Sequence, residues 1–291
     1  MLALLCCCTA LLTACGALQI MSDTSPSGHF TKSSDIRYGA AERNFLDYYE
    51  PLDVASDAPL IIFFYGGGWR DGNRTEYEFA ASALTKAGFR VVIPDYRLYP
   101  EVSFPAFMTD AAAAVSWGVN HANSSQEQNA AVYLVGHSAG AHIAALLATD
   151  QHYLAQESVP ASALAGLVAL SGPYDFLPIE SGYLLDVFPE DSREDSQPIN
   201  FVTAQTPPVL LIHGEEDELV ESGNTERFAA ALRQAGVPVT VKLYPETGHA
   251  AVAAAMAPQL DFIADTLKDT VDFINTQETL RATAADRGPL E

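Results

Sequence analysis

Short apolar runs recur along this chain, separated by helix-forming stretches, and that alternation leaves few folds open. Leu60 to Tyr65 (LIIFFY) is aliphatic or aromatic throughout and is bounded by Pro59 and Gly66. A strand covered on both faces reads this way, because neither side of it meets water. Phe89 to Ile93, Ala131 to Val135, Gly166 to Leu170 and Val209 to Ile212 repeat the pattern, and Val239 to Tyr244 closes the series. Asn44 to Tyr49 precedes them as an early strand ended by Pro51. Between the runs, the spacing predicts helices over Tyr77 to Ala87, Phe107 to His121, Ala139 to Ala148, Thr225 to Ala235 and Pro258 to Asn275. Gly88 and Gly236 stand where a glycine ends a helix. The alternation predicts an α/β fold with a mainly parallel central sheet and helices on both faces. A chain of 291 residues can bury that core without covalent staples.

Acids outnumber bases by 37 to 15, a formal charge of −22, so the surface repels phosphate backbones and nucleic acid is excluded as a partner. The cysteines (Cys6, Cys7, Cys8 and Cys15) all precede Gly16. The body therefore has no disulfide framework, cysteine-based zinc site or thiol nucleophile.

Met1 to Met21 carries no charged side chain, and its apolar stretch ends at small residues, as a cleavable leader does. Leu12-Thr13-Ala14-Cys15 resembles the lipobox of bacterial lipoproteins. The resemblance implies that Cys15 is lipidated and the protein exported, as a cell-envelope lipoprotein whose only membrane contact is that anchor. A plain secretory signal (periplasmic or secreted product) and a transmembrane anchor are the alternatives. The expected organisation is a leader over 1–15, a flexible tether over 16–35, one domain over 36–275 and a polar tail over 276–291.

Gly136-His137-Ser138-Ala139-Gly140 directly follows the strand AVYLV and directly precedes the helix AHIAALLA. A serine on such a turn is thrust outward, small neighbours prevent clashes, and the helix N-terminus favours negative charge beside it. The bland alternative makes Ser138 a helix cap among packing glycines. Tyr65-Gly66-Gly67-Gly68-Trp69 follows the LIIFF strand, and its glycines let backbone amides point inward. A phosphate loop is the rival, but no Gly-Lys-Ser/Thr follows.

With YGGGW, PDYRLYPEVSFPA (94–106), GHSAG, HGEEDELV (213–220) and a late Gly248-His249, the chain resembles the α/β-hydrolase superfamily over about residues 40–275. Within it, the chain looks like the hormone-sensitive-lipase-like and BD-FAE carboxylesterases. The family order is serine, acid, histidine. It implies Ser138 as nucleophile, Asp217 as acid by match to HG-x-x-D-x-x-V, and His249 as base. Glu215, Glu216 and Glu218 are the rival acids, read as solvated. The amides of Gly67, Gly68 and Ala139 are the implied oxyanion donors. Tyr65 stands where HGGG-type esterases carry a histidine, and its hydroxyl is expected to brace the glycine loop. His137 and His142 read as packing residues, and His213 as shaping the acid loop. Asp95 reads as a structural partner of Arg97.

The implied reaction is hydrolysis of short acyl esters, acetyl to butyryl, through an acyl-enzyme, with neither metal nor organic cofactor. A small-molecule ester is the implied partner. The excursion from Ser171 to Pro207 is expected to form a small lid, with Tyr174, Phe176, Tyr183, Leu184 and Phe188 as its apolar wall. Trp69, Tyr174 and Phe176 are the expected pocket residues. Glu180, Asp186, Glu190 and Asp191 are expected to make an acidic rim that disfavours anions. Two other readings stay open: an amidase, arylformamidase or exopeptidase on the same fold, and a catalytically silent binding protein.

Overall fold

The computed structural model describes residues 16–124, 130–180 and 182–286. The expected leader with Cys15 lies outside them. Within them the apolar runs become strands: β1 (Phe30–Arg37), β2 (Phe45–Pro51), β3 (Leu60–Phe64), β4 (Arg90–Pro94), β5 (Val132–His137), β6 (Leu164–Leu170), β7 (Val209–Gly214) and β8 (Val239–Tyr244). They form one sheet in the order β1-β2-β4-β3-β5-β6-β7-β8. β1 and β2 pair antiparallel, as do β2 and β4, and every later pairing is parallel. All residues of β3 to β7 are buried, which is why their sequences show no alternation.

Residues 16–23 are helical (α1). The remaining helices are α2 (Glu78–Lys86), α3 (Ala106–Ala122), α4 (Ala139–Thr149), α5 (Gln151–Gln156), α6 (Leu184–Val187), α7 (Gly223–Gln234), α8 (His249–Ala254) and α9 (Thr266–Asp286). Side chains alternate across a strand, and β3 shows what that alternation does here. Leu60 and Ile62 lie against Gly118 of α3, close enough that a Cβ there would meet Ile62 at 2.6 Å. Phe63 faces the other way, onto the ring of Tyr77, 5.4 Å between centroids. On that second face Tyr133 of β5 donates its hydroxyl to Glu278 of α9 at 2.6 Å. Helices thus cover both faces, as the alternation predicted.

Four expectations are corrected. The tether over 16–35 is not loose. Leu18 of α1 is buried, Ser22 donates to the Glu76 carbonyl at 2.9 Å, and Phe30 begins the edge strand β1. β1 escaped notice because an edge strand is held by backbone pairing to β2 and by charge, not by an apolar face. The tail from Thr276 continues α9 to Asp286, pinned by the Tyr133–Glu278 bond. The helix expected over Pro258 to Asn275 instead breaks into a single 3₁₀ turn (Pro258–Leu260) before α9 starts at Thr266. Finally, Asp95 does not pair with Arg97. Arg97 donates to Asp110 with both Nε and Nη2 at 2.8 Å. Asp95 instead meets Arg74, which also reaches Asp35 and Asp47. That cluster stitches β1, β2 and β4 together across sequence distances no local pattern reports.

Candidate active site

Loops leave the carboxyl ends of β3, β5, β6, β7 and β8, which the sheet order sets side by side. Crevices outside the carboxyl ends of parallel strands are where open α/β sheets bind ligands.

The turn after β5 puts Ser138 at φ 56° and ψ −122°, a conformation costly for a residue with a Cβ. The strain is held by bonds on either side: Ser138 N–H donates to the Leu170 carbonyl at 2.9 Å, and His142 N–H donates to the Ser138 carbonyl at 3.0 Å. Gly140 explains the tightness of the turn. A Cβ there would lie 2.0 Å from the Phe64 carbonyl oxygen, so α4 can sit this close to β3 only without a side chain at that point.

His249 opens α8, just past the loop that follows β8, and the loop after β7 carries Asp217. His249 Nδ1–H donates to Asp217 Oδ2 at 2.7 Å, and the Ser138 hydroxyl donates to His249 Nε2 at 2.8 Å. Asp217 is buried, and its Oδ1 accepts the amides of Leu219 (3.0 Å) and Val220 (2.9 Å). His213 Nε2–H donates to the Val220 carbonyl at 2.8 Å and also faces Asp217 Oδ2 at 3.2 Å, while Thr225 donates to its Nδ1. Burial works to raise the Asp217 pKa, but the bonds from His213 and His249 outweigh it and hold the carboxyl well below the usual carboxylate range. Asp217 is therefore an anion that fixes the tautomer of His249. Glu215, Glu216 and Glu218 are exposed, as expected of them, and His213 does shape the acid loop.

Of the expected oxyanion donors, Gly68 lines the same cleft as Ser138 and His249, and Ala139 is the first residue of α4. Gly67 sits at φ 138°, its carbonyl accepting the amides of Arg70 and Asp71. Tyr65 is wholly buried, and its hydroxyl accepts from Arg43 Nη2 at 3.0 Å. The same nitrogen donates to the Gly72 carbonyl at 3.0 Å, so Tyr65 braces the far end of the glycine loop through an arginine. No motif marks Arg43, and only its position in space reveals this role.

The cleft holds about 710 Å³. Phe176, Tyr183 and Leu184 of the excursion line it, Trp69 of the glycine loop lines it too, and Glu180 stands at its edge. Tyr174 does not line it: its ring is fully buried and stacked on Phe228 at 4.6 Å, while Phe188 packs edge-on behind Trp69. Residues 174 and 176 lie on opposite sides of an irregular loop, whose turn no periodicity predicts. Asp186, Glu190 and Asp191 of the expected rim are absent from the lining among the described residues. Asn224 and Arg227 of α7 enter it unforeseen. Asn224 Oδ1 accepts the amides of Tyr174 and Asp175 at 3.1 Å, and so holds the lid's root.

Residues 46–232 match the family model described as BD-FAE. The chain belongs to the BD-FAE family. Among its relatives, the probable isoprenylcysteine alpha-carbonyl methylesterase ICMEL1 of Arabidopsis thaliana is 29% identical over 237 residues, 74% of this chain and 50% of that protein. The kynurenine formamidase of Danio rerio is 30% identical over 223 residues, 74% of this chain and 73% of that one. This BD-FAE chain thus spans half the length of the plant methylesterase. Among solved structures, a truncated form of a carbohydrate esterase from gut microbiota superposes with a TM-score of 0.75 at 23% identity, covering 88% of this chain and all of the other. At that identity the likeness concerns the fold, which is that of the α/β-hydrolases.

Proposed function

We propose that this BD-FAE protein is a serine carboxylesterase acting on short acyl esters. One observation carries the reading: Ser138, His249 and Asp217 form a continuous hydrogen-bonded row of 2.8 and 2.7 Å at the wall of a cleft. Both distances fall within the reach that proton transfer requires. In this reading Ser138 Oγ attacks the ester carbonyl while His249 Nε2 takes its proton, and Asp217 stabilises the imidazolium. The amides of Gly67, Gly68 and Ala139 bind the oxyanion, where losing one donor typically costs about 3–4 kcal/mol. Collapse releases the alcohol with the proton returned by His249. A water activated by the same imidazole then frees the acid. The back of the cleft is closed by Trp69, Phe176 and Phe188, which favours acetyl to butyryl groups over long chains.

The test is turnover of p-nitrophenyl acetate with labelling by a fluorophosphonate. Ser138→Ala is expected to cut turnover by roughly a million-fold and abolish labelling. Near-normal turnover in the purified variant would end the proposal. A formamidase is the second reading, favoured by the likeness to the fish enzyme. Hydrolysis of N-formylkynurenine faster than any ester in a side-by-side panel would select it.

A further inference from the structure

His137 precedes the proposed nucleophile and is 4% exposed, with both ring nitrogens engaged. Its Nε2 lies 3.2 Å from the backbone carbonyl oxygen of His249. A carbonyl only accepts, so Nε2 carries the hydrogen and, in the neutral ring, Nδ1 is bare. Nδ1 lies 2.8 Å from the Tyr77 hydroxyl, which must therefore donate to it. The Tyr77 oxygen in turn accepts the amide of Gly66 at 3.3 Å. The hydrogen bonds thus all run one way, from the Gly66 amide to the Tyr77 hydroxyl, to the His137 ring and on to the His249 carbonyl, which accepts. The chain begins at the head of the glycine loop and ends on the main chain of the proposed base.

A second contact couples the same parts. A Cβ on Gly66 would lie 2.9 Å from His137 Nδ1 and 3.1 Å from Ser138 Cβ, so the glycine loop rests directly on this pair. The rings of His137 and His249 stand 4.9 Å apart, tilted by 42°.

We infer that His137 is a positioning residue of this site, holding the His249 main chain through Nε2–H and the Gly66 amide through Tyr77. Packing alone would accept a phenylalanine here; the directional bonds require an imidazole in one tautomer. The groups that bear on its charge are His249, Asp217 and His213, with Tyr77 at its Nδ1. Burial, followed by the neighbouring His249, pushes its pKa down to about 3, so it stays neutral and does not compete as a base. The inference rests on the esterase reading for its kinetic readout but not for its tautomer.

The experiment uses the full chain with ¹⁵N-labelled histidine, the His137 signals being assigned through Tyr77→Phe and His137→Phe. His137 is expected as the neutral Nε2–H tautomer throughout the window from about pH 8 to pH 5, where a free histidine titrates. The Nδ1–H tautomer, or titration near the ordinary 6.5, would overturn the inference. In turnover of p-nitrophenyl acetate, His137→Phe is expected to lower kcat about tenfold with KM within about twofold, the loss of a hydrogen bond felt mainly in the transition state. His137→Gln, whose amide can still donate toward the His249 carbonyl, should recover part of that loss. A folded His137→Phe with wild-type kcat would refute the role. Should that variant not fold, Tyr77→Phe removes one hydroxyl from the same chain, and unchanged kcat there refutes it equally. The tautomer is read without turnover, so it decides the inference even in a protein that hydrolyses no ester, a result that would sink the esterase reading alone.

Discussion

Trp69 donates its indole Nε1–H to Nδ1 of His142 across 3.3 Å. That nitrogen is free to accept because the other one, Nε2, donates its hydrogen to the Ser196 carbonyl at 2.7 Å. His142 lies one turn into α4, the helix that starts just after Ser138. The bond therefore ties the residue after the glycine loop to the helix that follows Ser138 and to the excursion after β6. With Phe176 stacked on it at 6.1 Å and Phe188 edge-on at 4.8 Å, the indole forms a fixed back wall to the cleft.

Removing that wall should change which acyl groups are accepted. Trp69→Ala is expected to raise the kcat/KM ratio of octanoyl over acetyl p-nitrophenyl esters by about tenfold or more, since each methylene in an apolar pocket is worth roughly 1–3 kcal/mol. The same change should cost about 3–5 kcal/mol of stability, measurable by urea unfolding. An unaltered chain-length ratio in the folded variant would mean that the acyl group lies elsewhere.

Acid should weaken the fold in two stages. Burial pushes His142 down to about 4 and His137 down to about 3. In the unfolded chain both protonate near the ordinary 6.5. As pH falls below 6.5, the unfolded state gains protons that the native state refuses, so stability drops by up to about 1.4 kcal/mol per pH unit for each ring. Asp217 acts lower: its depressed pKa adds stability that is fully present above its ordinary 3.8 and is lost as pH falls below that value. Unfolding midpoints measured from neutral pH to acid should decline through the histidine window first, and His142→Gln should flatten that decline. A flat midpoint down to pH 4, the bottom of the His142 range, would show that the rings are not held neutral.

Asp217→Asn keeps the shape of the acid but not its charge. It should lower kcat by about ten-thousand-fold with little change in KM, because an amide cannot hold His249 in the tautomer that accepts from Ser138. Glu216→Gln, at an exposed neighbour, should leave kcat near wild type. Equal losses in the two variants would remove Asp217 from its role.

Gly140→Ala tests the packing that seats Ser138. Its new Cβ would lie 2.0 Å from the Phe64 carbonyl oxygen, on backbone that has no room to yield. A loss of about 3 kcal/mol or more is expected in thermal or urea unfolding. Gly28→Ala meets nothing within 4 Å and should stay within about 0.5 kcal/mol of wild type.

Much of this arrangement was legible in the residues, because burial on two faces and tight turns leave marks in sequence. Five buried parallel strands announced themselves as apolar runs, and the serine turn announced itself by its glycines and its place between strand and helix. Matching the family's motifs pointed to Asp217 and His249, and the fold brings both to Ser138. What sequence missed has a common cause. β1 and α1 are held by an edge pairing, a few buried contacts and ion pairs spread across the molecule, so no local period marks them. Tyr174 and Phe176 look alike in a loop, and only the path of the chain sends one into the core and the other to the cleft.

Local chemistry by itself marked the five buried strands, the serine turn and the glycine loop, since each is written in a few consecutive residues. Tertiary structure alone decided that Arg43 braces Tyr65, that Asp95 serves Arg74 rather than Arg97, and that His137 reaches from Gly66 to His249. Those partners lie between about twenty and more than a hundred residues apart. A hydrogen bond acts over roughly 3 Å. Which groups come that close is therefore settled by the order of strands in the sheet, not by their order in the chain.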